Sequence, residues 1–118
     1  MSAGSFDLTI EQYTTFTLDL TITEGEGDNV TPMDLTPYTP RLQVRESATA
    51  REILLACNPE NGRILVDQPT SGVIQITLTA EETSHLSWSE GVYDLLLVGP
   101  DTHRLLEGSV TVRPGVTR

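Results

Sequence analysis

Apolar and polar residues alternate along most of this chain, and the period is two. Residues 15–23 give the clearest case. Phe16, Leu18, Leu20 and Ile22 fall on one side, and Thr15, Thr17, Asp19, Thr21 and Thr23 on the other. That is the repeat of a half-buried β-strand. The same repeat places Phe6, Leu8 and Ile10 on one face of a first strand over 6–10, Leu42 and Val44 inward over 41–45, and Ile74, Ile76 and Leu78 inward over 73–79. Apolar runs at 52–57 and 63–66 read as two brief strands, the second at a sheet edge. Leu20→Asp is expected to be severe, because it would bury an unpaired charge.

Residues 91–113 form the stretch around which the others are organised. Residues 91–98 are a nearly continuous apolar run, which fits a strand buried on both faces. Residues 103–113 end in alternation, with Val110 and Val112 against Ser109, Thr111 and Arg113. Between them Gly99, Pro100 and Asp101 supply turn chemistry: a fixed φ, a side chain that bonds its own backbone, and a residue that tolerates positive φ. The two arms read as a β-hairpin closing an antiparallel fold. Gly91-Val92-Tyr93 also resembles the entry to a late strand in immunoglobulin-like sandwiches, where a tyrosine hydroxyl ties back to the preceding corner. No Cys…Trp…Cys framework accompanies it, so an antibody-type domain is not expected.

The intervening segments punctuate. Residues 24–29 hold Gly, Asn and acids but nothing apolar, the composition of a surface loop. Residues 33–40 carry two prolines, read here as a connector that excludes a central strand. Thr79-Ala80-Glu81-Glu82 matches a capping box and predicts one short helical turn over about residues 80–86, crossing from one sheet to the other. Leu86 and Trp88 would then plug the end of the core. There is no internal repeat, heptad or low-complexity tract. About eight short strands separated by turn signals predict an all-β protein. The expected fold is a single antiparallel β-sandwich domain over 1–118, with one helical turn and flexible or partner-docked terminal arms at 1–5 and 114–118.

Composition narrows the function classes. The net charge is −10, and all seven basic residues are Arg. That argues against a nucleic-acid-binding face, which needs clustered cations. It also removes lysine-dependent chemistry such as a Schiff base or a P-loop. Arg41 and Arg45 share a face and could grip an anion, but pairing with nearby acids is the simpler expectation in so acidic a chain. Cys57 is the sole cysteine, so no intrachain disulfide can form, and it reads as a small core residue. No run approaches the length of a membrane span, and residues 1–5 lack the features of a signal peptide.

No catalytic, cofactor or metal residues are assigned. The acids of residues 24–29 lack the spacing and closing Glu of a calcium loop. His85 and His103 show no HxH or HExxH spacing, and no Gly-x-Ser-x-Gly elbow occurs. A glycan-binding module would need an exposed aromatic platform, which Trp88, Tyr13, Tyr38 and Tyr93 alone could supply.

Four stretches together resemble small structural proteins of tailed bacteriophages. They are Phe6-Asp7-Leu8-Thr9-Ile10-Glu11-Gln12 with Phe16-Thr17-Leu18, the block from Asp34 through Pro37, Tyr38 and Pro40 to Arg45, Ile74-Gln75-Ile76-Thr77-Leu78-Thr79 before Ala80, and Gly91-Val92-Tyr93-Asp94-Leu95 with Leu106-Glu107-Gly108-Ser109-Val110-Thr111-Val112. The pattern is similar to the N-terminal domain of phage upper baseplate proteins, an immunoglobulin-like β-sandwich that docks onto the virion. The chain departs from it at Tyr13 and Pro37, where the family has Gly, and at Pro40, where it has a small residue. These departures bear on local turn geometry. The resemblance implies a non-enzymatic virion component without cofactors, linking tail, collar or baseplate to fibres. Its partners would be other virion proteins, in many copies, with no nucleic acid and no membrane. It would be assembled in the host bacterial cytoplasm. Capsid decoration is the alternative within the virion, and host-surface glycan binding the alternative of another class.

Overall fold

The computed structural model describes residues 4–25 and 27–117, and the sequence periods become two facing sheets. The larger sheet is five positions wide. Strands β1 (Gly4–Ser5) and β2 (Leu8–Glu11) share its first edge. The small sheet contains β3 (Phe16–Thr21), whose far end passes into a ribbon of β4 (Thr23–Glu24) and β5 (Thr31–Pro32). β6 (Thr39–Arg45) and β7 (Leu55–Cys57) return to the larger sheet. β8 (Ile64–Leu65) and β9 (Val73–Leu78) complete the small sheet in the order β3-β9-β8. Helix α1 (Ala80–Ser84) then leads back to β10 (Glu90–Val98) and β11 (His103–Arg113), so the larger sheet runs β1/β2-β11-β10-β6-β7. This exchange of strands between sheets is that of an immunoglobulin-like sandwich, with β7 added beside β6 as in variable-type domains. β1 and β2 run parallel to β11, while the other pairs are antiparallel.

The core lies between the sheets. Ile74, Ile76 and Leu78 of β9 are at most 2% exposed, as their alternation predicts. They meet Leu42 and Val44 of β6, Tyr93, Leu95 and Leu97 of β10, and Val110 and Val112 of β11 in one apolar cluster. Between Leu95 and Leu96 the β10–β11 register shifts, leaving Leu105 as an extra residue on β11. The bulge turns odd-numbered Leu105 inward on a strand whose later core residues, Val110 and Val112, are even-numbered. Thr79 and Glu82 form both halves of the capping box, and α1 crosses between the sheets as expected.

Several expectations are corrected. β10 is central in its sheet yet buried on one face only, because the fold has two layers and nothing among the described residues covers its outer side: Val92 and Val98 are exposed. Phe6 is 49% exposed rather than inward. The first strand breaks after Ser5, and its alternation resumes at Leu8. Pro40 lies inside a central strand and is buried. Its sheet tolerates it because the Val44 carbonyl faces the β7 side, accepting from the Leu54 amide, so even-numbered β6 residues point that way. β7 reaches only Leu42–Val44, so the missing amide of Pro40 costs no ladder bond. The 33–40 connector also contributes Met33 and Leu35 to the core. It is anchored where Gly72, at φ 72°, crosses Ile22 and Met33 so closely that a Cβ would sit 2.4 Å from the Ile22 carbonyl oxygen.

β3 departs most. Its alternation is correct, but Phe16, Leu18 and Leu20 are only half-buried, because β3 is the edge of the small sheet. The reading of Leu20→Asp as burying an unpaired charge therefore weakens: at this edge the carboxylate keeps access to water. Leu95→Ala is expected to cost ~3–5 kcal/mol, the range for a fully enclosed leucine, and Leu20→Ala clearly less. Urea denaturation of the two variants checks the order, and equal losses would contradict a half-open β3.

Candidate functional site

The N-terminal segment is held onto β11 by polar contacts that hydrophobic patterning does not encode. Tyr93 is buried, and its hydroxyl donates to the Phe6 carbonyl at 2.5 Å. Burial pushes this phenol up to about 12, with the nearby Asp7 charge adding to the effect. The Tyr93 hydroxyl thus ties the larger sheet to the chain's first strands, not to the preceding corner. Asp7 Oδ1 accepts from the Ser109 amide at 3.0 Å, which lowers its carboxyl below the ordinary value. Gly108 is required at this crossing, since a Cβ would lie 2.3 Å from the Phe6 carbonyl oxygen. At the far end of β2 the chain turns through Tyr13 at φ 66°, a left-handed conformation that favours glycine. That is one of the two positions where the resembling family carries glycine. The Gly115 amide donates to Gln12 Oε1, so the tail docks on its own chain there. Met1 to Ala3, part of the expected docking arm, lie outside the described residues, as does Arg118.

The residues considered for chemistry do not converge. Cys57 is 2% exposed, and burial pushes its thiol up to about 11, with Arg63 lowering and Glu82 raising it to smaller extents. His85 caps the end of α1 and is exposed. His103 stands edge-on to Tyr38, with ring centroids 5.7 Å apart. Among the described residues no group of three or more His, Cys, Asp or Glu side chains is arranged to hold a metal ion. Glu26, one of the loop acids, is outside them. No helix is long and apolar enough to cross a membrane. The arginine expectation is corrected: among the described residues neither Arg41 nor Arg45 forms a salt bridge. Arg45 donates to Gln43 and to the carbonyls of Ala50 and Arg51, so it pins the loop after β6. Arg63, Arg104 and Arg113 do pair, with Glu82, with Asp94 and Glu107, and with Glu11 respectively.

Three of the four candidate platform aromatics, Trp88, Tyr38 and Tyr93, are dispersed. Tyr93 is core. Trp88 precedes β10, whereas Tyr38 precedes β6 beside the other end of β10, about 30 Å away along nine strand residues. Trp88 is half-buried and lines an open cleft with Glu46, Leu54, Glu90, Ser109 and Thr111. Its Nε1 is buried without a hydrogen-bond partner among the described residues.

What the molecule does offer is sheet surface. The outer face of the larger sheet is a mixture of Val92, Leu96, Arg45, Asp94, Arg104 and Glu107. The small sheet ends in β3 on one side and the two-residue β8 on the other. Pairing signals of this kind were legible in the alternation, whereas edge positions depend on strand order, which local pattern does not contain.

No protein-family model matches the chain, and no curated protein matches it. The chain is similar to several solved structures. The titin M3 domain is 7% identical with a TM-score of 0.45, over 94% of this chain and 88% of that one. The N-terminal domain of phage TP901-1 ORF48 is 9% identical with a TM-score of 0.49, over 96% and 99%. An endo-fucoidan hydrolase of glycoside hydrolase family 107 is 9% identical with a TM-score of 0.46, over 97% of this chain but 13% of that one.

Two outcomes follow from the ionisable groups. Cys57 is expected to resist a thiol reagent near pH 8 in the folded protein and to react at once in denaturant, as a colorimetric thiol assay will show. Glu82 accepts from the Thr79 amide and pairs with Arg63, and both hold its carboxyl below its ordinary value of 4.5. The folded chain thus binds this proton more weakly than the unfolded one. The stabilisation is complete above that ordinary value and is lost as pH falls through the lower folded value. Glu82→Gln should therefore flatten the acid limb of a stability–pH profile.

Proposed function

We propose that the chain is a structural component of a tailed-bacteriophage virion, an adaptor linking tail, collar or baseplate to fibres by docking through its sheet edges and faces. The observation that carries this reading is where the family-like stretches fall. They coincide with β2 and β3, with the approach to β6 and β6 itself, with β9 up to α1, and with β10 and β11. The resemblance is thus one of framework, running through both sheets. The anionic surface complements basic neighbours, and many weak contacts repeated over identical copies add to firm attachment. Capsid decoration uses the same surfaces on a different lattice.

Cryo-electron microscopy of purified particles tests this. Density at tail, collar or baseplate in contact with fibres is the expected result. Density on every capsomer would replace the adaptor with a decoration protein. Absence from the particles would overturn the virion reading.

A further inference from the structure

β3 has one free side, and the backbone bonds identify the groups it presents. The Ile22 amide donates to the Gly72 carbonyl, and in the β3–β9 register even-numbered residues of this segment therefore face β9. The Thr77 amide points the other way, to Arg63 beside β8, as the same alternation requires. Thr17, Asp19 and Thr21 consequently turn their N–H and C=O groups away from the sheet, and none of these groups has a backbone partner among the described residues. The apolar row behind this edge is incomplete as well. Phe16, Leu18 and Leu20 are half-buried, whereas their partners on β9, Leu78, Ile76 and Ile74, are closed to solvent.

Protein edges are ordinarily protected by Pro, Lys, bulges or brevity. β3 has six residues, no Pro, no Lys and an unbroken register. Its one charge is Asp19, which also accepts from Gln75. The sequence leading up to and through this strand is one-sided in charge: the first forty residues contain seven acids and not one Arg, Lys or His. Two copies meeting at β3 would bring Asp19 against its own like, while a basic strand brings it a counter-charge.

We propose that the free edge of β3 accepts an extended strand from a different protein, one that alternates apolar residues with Arg or Lys. The strand adds to the small sheet and bonds the outward N–H and C=O groups of Thr17, Asp19 and Thr21. Its apolar side chains stand beside Phe16, Leu18 and Leu20 and close the sandwich. Its cations lie on the outer face, where Asp19 is. This deepens the adaptor reading, on which it rests, by naming the surface that does the linking.

The test uses the full chain, isotope-labelled, with a synthetic peptide of about nine residues alternating valine and arginine. Amide hydrogen exchange at Thr17, Asp19 and Thr21 should be fast in the free protein and slow by about tenfold or more with saturating peptide. The same peptide N-methylated at alternate amides should not protect them. Asp19→Lys should weaken peptide binding by about tenfold with an unchanged fold. Thr17→Pro removes an amide that has no native partner, and should also reduce binding. No protection at these three amides, or protection at β7 instead, overturns the proposal. So does a peptide-free dimer that protects them, since the occupant would then be a second copy. Particles that contain the chain but whose β3 amides ignore the peptide would refute this edge while leaving the virion role. Protection in a chain absent from particles would do the reverse.

Discussion

Three strands cannot cover a sheet five positions wide. That mismatch governs most of what distinguishes this sandwich from an even-sided one. β1 and β2 both take places beside β11, so the small sheet gains no strand beyond β3. The fold compensates at its ends. Met33 and Leu35 drop into the core from a connector, and Leu86 closes it beyond α1. Beside β3 nothing equivalent is present among the described residues, and its apolar row stays half open to water. The same mismatch explains why that strand has alternation as clean as β9 yet so much less burial.

The chain's polar groups serve attachment of one part of the fold to another. Tyr93, Asp7 and Ser109 hold the first strands to the larger sheet. Arg45 holds a loop, and Glu82 with Arg63 joins α1 to the approach to β8. Hydrogen-bonding side chains placed in this way stabilise a frame. The outer face of the larger sheet stays a mixture of apolar and charged side chains.

Local pattern revealed what depends on neighbours in sequence. The alternation of Ile74, Ile76 and Leu78, the Thr79–Glu82 box, and the turn at Gly99 all lie within a few residues of the structure they specify. What stayed hidden depends on residues far away. The side chain of Phe6 turns outward while its own carbonyl accepts from Tyr93, 87 positions later. Pro40 is acceptable in a central strand only because β7 is short. Leu105 reaches the core through a bulge set by its pairing with β10. The half-burial of Leu18 follows from strand order, and Met33 and Leu35 were masked by the prolines around them. The site-level reading depended on the same distant relations: the dispersal of Trp88, Tyr38 and Tyr93 along β10 could not be read from their spacing.

The parallel pairing of β2 with β11 has a mechanical consequence. Gly4 enters opposite Leu106, whereas the chain leaves β11 beyond Arg113, so the two ends depart in opposite directions along one line. A tension applied between residues 4 and 117 loads the four pairs from Leu8–Val110 to Glu11–Arg113 in shear. Their hydrogen bonds lie across the direction of pull and must yield together rather than one after another. A sandwich strung this way resists extension better than one whose terminal strands would unzip from an end.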